Sequence, residues 1–239
     1  MLLTSIASFD ALSAETPHWV HYKLLQGKPK LPKKVVVLPV NIEVIEVTAG
    51  GVKEEVPEWS SAASENVIKS LSAAIKKAPS LKEVKAPNFK GKTADMINEH
   101  LALYKLVVNT ASDVGWKHKA RRFDYGIGEG LSKLRKMTGA DAAILVYGRD
   151  HVSTAGRKTK AVLSYIPIIN IFTGNTPALG DSFVHVGIVD LKTGDLLWMN
   201  SEYRDDSSDL RDLNDTTEIV NTVFEWYPGI EKYRDAYVK

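Results

Sequence analysis

Asp150, His151, Asp181, His185 and Asp190 are the side chains whose types suit acid–base work or metal ligation. A histidine beside a carboxylate can move protons near neutral pH, and the same groups can ligate a divalent metal. Their spacing points elsewhere, because none falls in a His-x-x-x-His or similar ligand pattern. Ser182 follows Asp181 but lacks the Gly-x-Ser-x-Gly frame of a hydrolase nucleophile. His185 alternates with core-type residues, which predicts a hydrogen-bonded histidine on a sheet face. A hydrolase or metal-dependent enzyme around His185, Asp181 and His151 remains the alternative reading. No catalytic residue, metal ligand or cofactor is assigned.

Two further segments carry suggestive residues. Gly126-Ile127-Gly128-Glu129-Gly130 has the glycines of a phosphate loop. It lacks the Gly-x-Gly-x-x-Gly spacing, the Lys-Ser/Thr ending and a preceding strand, so a flexible helix start is the expectation. Lys117, His118, Lys119, Arg121 and Arg122 cluster beside Trp116 and would suit a phosphate or nucleic-acid binder. A solvated loop answering acidic segments such as Asp205-Asp206 and Asp209 is the commoner use of such a patch. No nucleic-acid partner is expected.

Ala161 to Phe172 is too apolar for an ordinary exposed loop. Pro167 prevents a regular helix there and removes a ladder donor, so an irregular connection or edge hairpin is expected. Tyr165, Ile166, Ile168, Ile169, Ile171 and Phe172 form a candidate interaction surface for a second copy, a protein partner or a lipid bilayer. A buried connection covering the sheet is the competing reading. The strict alternation of a porin strand is absent.

The whole chain supports a folded protein with a sizeable core. It has 239 residues, 44% of them hydrophobic, and 31 Lys+Arg against 29 Asp+Glu. That balance argues against disorder and gives no general attraction to polyanions. With no Cys there is no disulfide framework, thiolate metal site or Cys nucleophile. No run approaches the ~20 apolar residues of a membrane-spanning helix. Met1–Phe9 is apolar and small, and Ala11-Leu12-Ser13-Ala14 resembles a cleavage site, yet Asp10 interrupts and the first basic residue is Lys23. Residues 1–32 therefore read as an N-terminal segment, either an export-signal remnant or a docking segment, ending in the basic, proline-containing lead-in 27–34.

Residues 33–239 read as a single α/β domain. Val35–Val40 and Ala142–Tyr147 are apolar runs that predict strands buried on both faces. Ile42–Val47, Leu81–Ala86, Phe183–Leu191 and Leu196–Met199 are further strand candidates, the last two joined by a Lys192-Thr193-Gly194-Asp195 turn. Apolar stripes predict helices over 60–78, 93–112 and 124–138, the first capped by Ser60 or Ser61 and the third stopped by Gly139. A capping box at Asp215-Thr216-Thr217-Glu218 predicts a last helix over 214–227. The fold class is α/β (α+β): a two-layer domain with a mixed, mostly antiparallel sheet packed by three to four helices.

Thr138-Gly139-Ala140-Asp141-Ala142-Ala143-Ile144-Leu145-Val146-Tyr147-Gly148 and Val186-Gly187-Ile188-Val189-Asp190-Leu191-Lys192-Thr193-Gly194-Asp195-Leu196-Leu197-Trp198 resemble the CsgG-like and TolB-N-terminal-like bacterial envelope proteins. The resemblance covers roughly residues 33–227, and its motif is a fold signature without a catalytic residue. It implies a non-enzymatic assembly, scaffold or accessory module of a secretion or envelope complex. It also implies a periplasmic or outer-membrane-associated site, a protein partner or self-association, and peripheral membrane contact. The chain departs from that pattern in having no lipobox cysteine and no recognisable membrane-strand hairpins.

Overall fold

A computed structural model describes residues 18–25, 30–48, 50–118, 123–153, 180–204 and 208–229. The strands are β1 (His18–Val20), β2 (Lys34–Val37), β3 (Asn41–Val47), β4 (Lys53–Glu55), β5 (Lys82–Val84), β6 (Ala142–Ser153), β7 (Gly180–Asp190) and β8 (Leu196–Arg204). The helices are α1 (Tyr22–Leu25), α2 (Pro57–Lys77), α3 (Lys92–His118), α4 (Ser132–Thr138) and α5 (Leu213–Glu225). Among the described residues the eight strands form one mixed sheet, ordered β1-β8-β7-β6-β2-β5, with β3 between β6 and β4 off that path. The expected mixed α/β fold is therefore present, and the four main predicted strands share that sheet.

β6 organises the sheet. Its other edge is taken by β7, antiparallel over the whole of Ala142–Val152. Its first edge is shared in succession by β2 and β3, both parallel to it. Val37 lies opposite Ile144 and Asn41 opposite Tyr147, so residues 38–40 span only 145 and 146. The extra residue sits at Pro39, which has no N–H to give to the ladder. Such a bulge reverses which residues face which side. Val35 and Val37 face the same core as Ile42 and Val44, odd numbers before the bulge and even after it.

Helices cover both faces, where the sequence reading set them in a single layer against the sheet. On one face Ala63, Val67, Leu71 and Ile75 of α2 and Ile219, Val220, Val223 and Phe224 of α5 pack on Val35, Val44, Ile144, Val186 and Ile188. On the other, Ile97, Tyr104 and Val108 of α3 and Leu134 of α4 pack on Val36, Ala143, Leu145 and Val189. The unbroken apolar runs of β2 and β6 require this, since alternate residues of each must leave water on opposite sides.

Helix ends show where local rules yield to tertiary ones. α2 opens on Pro57 after Val56, without a side-chain cap. Ser60 and Ser64, inside the helix, instead accept the N–H groups of Val44 and Ile42, which β6 leaves unpaired. α5 is capped by Asp212, whose carboxylate accepts from the N–H of Asn214 and Asp215, three residues before the expected cap. Gly139 does stop α4, in the left-handed region at φ 70°. The expected helix over 124–138 is shorter: Gly126 bridges Asp195, a 3-10 turn covers Glu129–Leu131, and only then does α4 begin.

Gly187 is fixed by a close approach. A Cβ there would lie 2.5–2.7 Å from the hydroxyl and ring carbons of Tyr104, a fully buried side chain. Gly187→Ala should therefore destabilise the fold by roughly 1–3 kcal/mol through overpacking. In denaturant titration the loss should shrink when Tyr104→Phe removes the hydroxyl. Equal stability of Gly187→Ala and the parent would refute this packing.

Candidate functional site

The ionisable side chains singled out from the sequence gather at the far ends of β6 and β7, and the pleat divides them. His151 and Asp181 are directly opposite in the antiparallel register. Their side chains meet, with His151 Nδ1 2.9 Å from Asp181 Oδ1. Lys53 of β4 brings its ammonium to 3.5 Å from His151 Nε2. An Asp–His pair of this kind orients a tautomer, which is half of an acid–base device.

His185 does not join it. It lies opposite Tyr147, four residues up the strand from Asp181. Its ring stacks on Tyr147 at 4.8 Å and 10°, with Phe183 edge-on at 5.3 Å. Burial pushes its pKa down to about 4, so the ring is neutral across the physiological range. His185, Asp181 and His151 thus do not converge. Among the described residues no group of three His, Cys, Asp or Glu side chains is placed to hold a metal ion.

On the same side as His185, Glu43 lies between Lys105 and Arg149, 3.2 Å from each. Burial works to raise its carboxyl, and the two cations outweigh it and hold the pKa below the usual value. Lys105 also sits over the Tyr147 ring at 5.4 Å. The cluster thus sets two cations against one carboxylate, with the Asn41 side chain as a further, neutral acceptor for Lys105.

Asp150 and Ser182, one residue along each strand, turn to the opposite face and are 1% exposed. Asp150 Oδ2 accepts the backbone N–H of Leu210 at 2.9 Å. Burial raises its pKa to about 7; the Leu210 N–H opposes the rise, Asp209 adds to it, Arg211 opposes and Asp181 adds. Ser182 Oγ is buried without a hydrogen-bond partner. The sequence marks Asp150 as ionisable. Its burial follows from a loop 60 positions later in the chain.

The glycines of 126–130 pack against the β7–β8 turn. Ile127 N–H donates to the Gly194 carbonyl, and Gly128 and Gly194 both take positive φ. A Cβ on Gly194 would collide with the Gly128 carbonyl. Lys117 and His118 end α3, while 119–122 lie outside the described residues, as do 1–17 and the apolar run 161–172 with Tyr165, Ile166, Ile168, Ile169, Ile171 and Phe172.

The two motifs that carry the resemblance build structure. Gly139 ends α4, and Asp141 accepts the N–H groups of Lys33 and Lys34, fixing the start of β2. Asp190 accepts from Lys192 and Thr193, and Thr193 Oγ1 accepts from Asp195, closing the β7–β8 turn. Trp198 is buried against Phe224 and Tyr227 of the α5 layer.

The class these features define is a mixed α/β sheet domain with helices on both faces. No family model and no curated protein matches the sequence. Among solved structures the chain is distantly similar to lipoprotein GNA1162 from Neisseria meningitidis, at 14% identity over 74% of this chain and 83% of that one, with a TM-score of 0.33. It is also distantly similar to dodecameric PelC from Paraburkholderia phytofirmans in two crystal forms. One matches at 10% identity over 83% of this chain and 88% of that one, TM-score 0.34. The other matches at 12% identity over 82% and 86%, TM-score 0.32. No helix among the described residues is long and apolar enough to cross a membrane.

Proposed function

We propose that this chain is a non-enzymatic cell-envelope protein, an assembly, scaffold or accessory module working through self-association or a protein partner at the periplasmic or outer-membrane surface. The observation that carries the reading is the use made of the two motifs. Gly139, Asp141, Asp190, Thr193, Gly194 and Trp198 cap, pin, turn and fill the fold, so the resemblance to the CsgG-like and TolB-N-like proteins lies in residues that specify an architecture. The ionisable residues that an enzyme would enlist are split by the pleat or stacked away as neutral groups.

A second reading, a hydrolase, has the His151–Asp181 pair in its favour. Among the described residues the pair has Lys53 beside it and no hydroxyl or thiol nucleophile bonded to the imidazole, so what it does there is orient that ring.

The interaction surface is assigned to Tyr165, Ile166, Ile168, Ile169, Ile171 and Phe172. Burying large apolar side chains in an interface contributes roughly 1.5–3 kcal/mol each before the entropic costs of association. Ile168→Ser with Phe172→Ser should abolish self-association or membrane attachment while leaving the thermal melt intact. Light scattering and liposome flotation on the parent and the double variant read this out. A parent that is monomeric and ignores lipid, or a double variant that unfolds, would make the segment part of the core.

A further inference from the structure

We infer that Asp150, with Ser182 beside it, is a proton-operated latch on the loop 208–212 that leads into α5. Leu210 is fully buried, and its N–H reaches across to Asp150 Oδ2. Its carbonyl takes the Thr216 hydroxyl and, with the Arg211 carbonyl, the Asn66 amide of α2. Asp209 and Arg211 clasp each other at 2.6–2.8 Å, the guanidinium lying over Trp59 at 4.1 Å. Asp212 then caps α5. The Leu210–Asp150 bond ties this lead-in to the sheet itself.

The charges around Asp150 set the sense of the latch. Asp209 in the loop and Asp181 on β7 both oppose a further negative charge, and Arg211 favours one. Glu46 of β3 acts on Arg211, and Asp215 of α5 accepts the Asp209 N–H, so neither neutralises Asp150. As an acid, Asp150 is a neutral buried group that still accepts from Leu210. As a carboxylate, it is a charge in an apolar layer, relieved only when the loop lifts and water enters. Ser182 pairs with Asp150 in the register and its buried hydroxyl has no other partner, so the latch assigns that hydroxyl to Asp150, accepting from the acid or donating to the carboxylate. The hold is therefore complete only below the ordinary carboxyl pKa of 3.8, weakens steadily as pH rises from there, and is lost once pH passes about 7.

The test is an NMR titration of the whole protein between pH 5.5 and 9. The Leu210 amide should shift with a midpoint near 7, and Asp150→Asn should remove that step. Ser182→Ala should move the midpoint upward, because a hydroxyl donor stabilises a carboxylate more than it does the acid. Hydrogen exchange in the first turn of α5, corrected for its intrinsic pH dependence, should be about tenfold faster at pH 8 than at pH 6. That difference should vanish in Asp150→Asn. A Leu210 amide that does not titrate in the parent, or exchange that is unchanged between the two pH values, would overturn the latch whether or not the variants fold. A midpoint in Ser182→Ala that stays or falls would remove Ser182 from it.

Discussion

Leu145→Asp is expected to leave no folded protein. Leu145 is fully buried at the centre of β6, under α3 and α4. The change removes a large side chain from a packed layer, about 2–5 kcal/mol, and leaves a carboxylate with no partner, several kcal/mol more. A domain of this size has about 5–15 kcal/mol in total. Ile188→Asp makes the same challenge to the other face, where Ile188 lies in the layer of α2 and α5. Circular dichroism should show no cooperative melt for either. Leu106→Asp, at a site 64% exposed on α3, should melt like the parent. A soluble Leu145→Asp or Ile188→Asp variant with the parental melting temperature would break the two-core description.

Trp198→Ala should lower the unfolding free energy by about 3–5 kcal/mol. Its indole fills the angle between β8 and α5, with ring centroids 5.7 Å from Phe224 and 5.6 Å from Tyr227. Nothing nearby can collapse into so large a space without breaking those aromatic contacts. Urea titration should show an earlier midpoint with an unchanged slope, and Trp198→Phe should recover much of the loss. An unchanged midpoint in Trp198→Ala would mean that the indole is not the keystone of that layer.

The sheet was legible because its central strands are written in runs that admit no other use. Val35-Val36-Val37 and Ala142 to Tyr147 are too apolar and too short for surface helices, and 183–191 alternates as a half-buried strand must. The turn at 192–195 was legible through Gly194. What misled was local chemistry put to long-range use. Ser60 looks like a cap in sequence, yet it serves a strand 16 positions back. Asp212 took the capping role expected of Asp215, whose carboxylate bonds the Asp209 N–H. The layer on each face was implied by the unbroken strands, but the side each helix takes depends on the bulge at 38–40, which no periodicity reveals.

The same limit applies to the site. Asp181 and His151 are 30 positions apart, and only the register of β6 against β7 makes them neighbours. His185 has the same parity as Asp181 and so shares its face, but Tyr147 and Phe183 occupy the space between. Asp150 and His151 adjoin in sequence and lie on opposite sides of the sheet. A cluster read from composition was thereby divided into a dyad, a stacked neutral ring and a buried acid.

The double edge of β6 also imposes an order on synthesis. Lys34 and Asp141, which lie together where β2 meets β6, are 107 positions apart. At about 5–20 residues per second a ribosome needs about 5 to 20 s to cover that interval. Throughout it β2 can pair only with β5, and β3 only with β4 over its last three residues, so the edges that β6 will join stay open, and such an edge recruits other chains. α2 emerges early, and its Ser60 and Ser64 can already occupy the amides of Val44 and Ile42. The helix therefore closes the far edge of β3 from the start, so that the side left open on the nascent strand is the one that β6 takes when it leaves the exit tunnel.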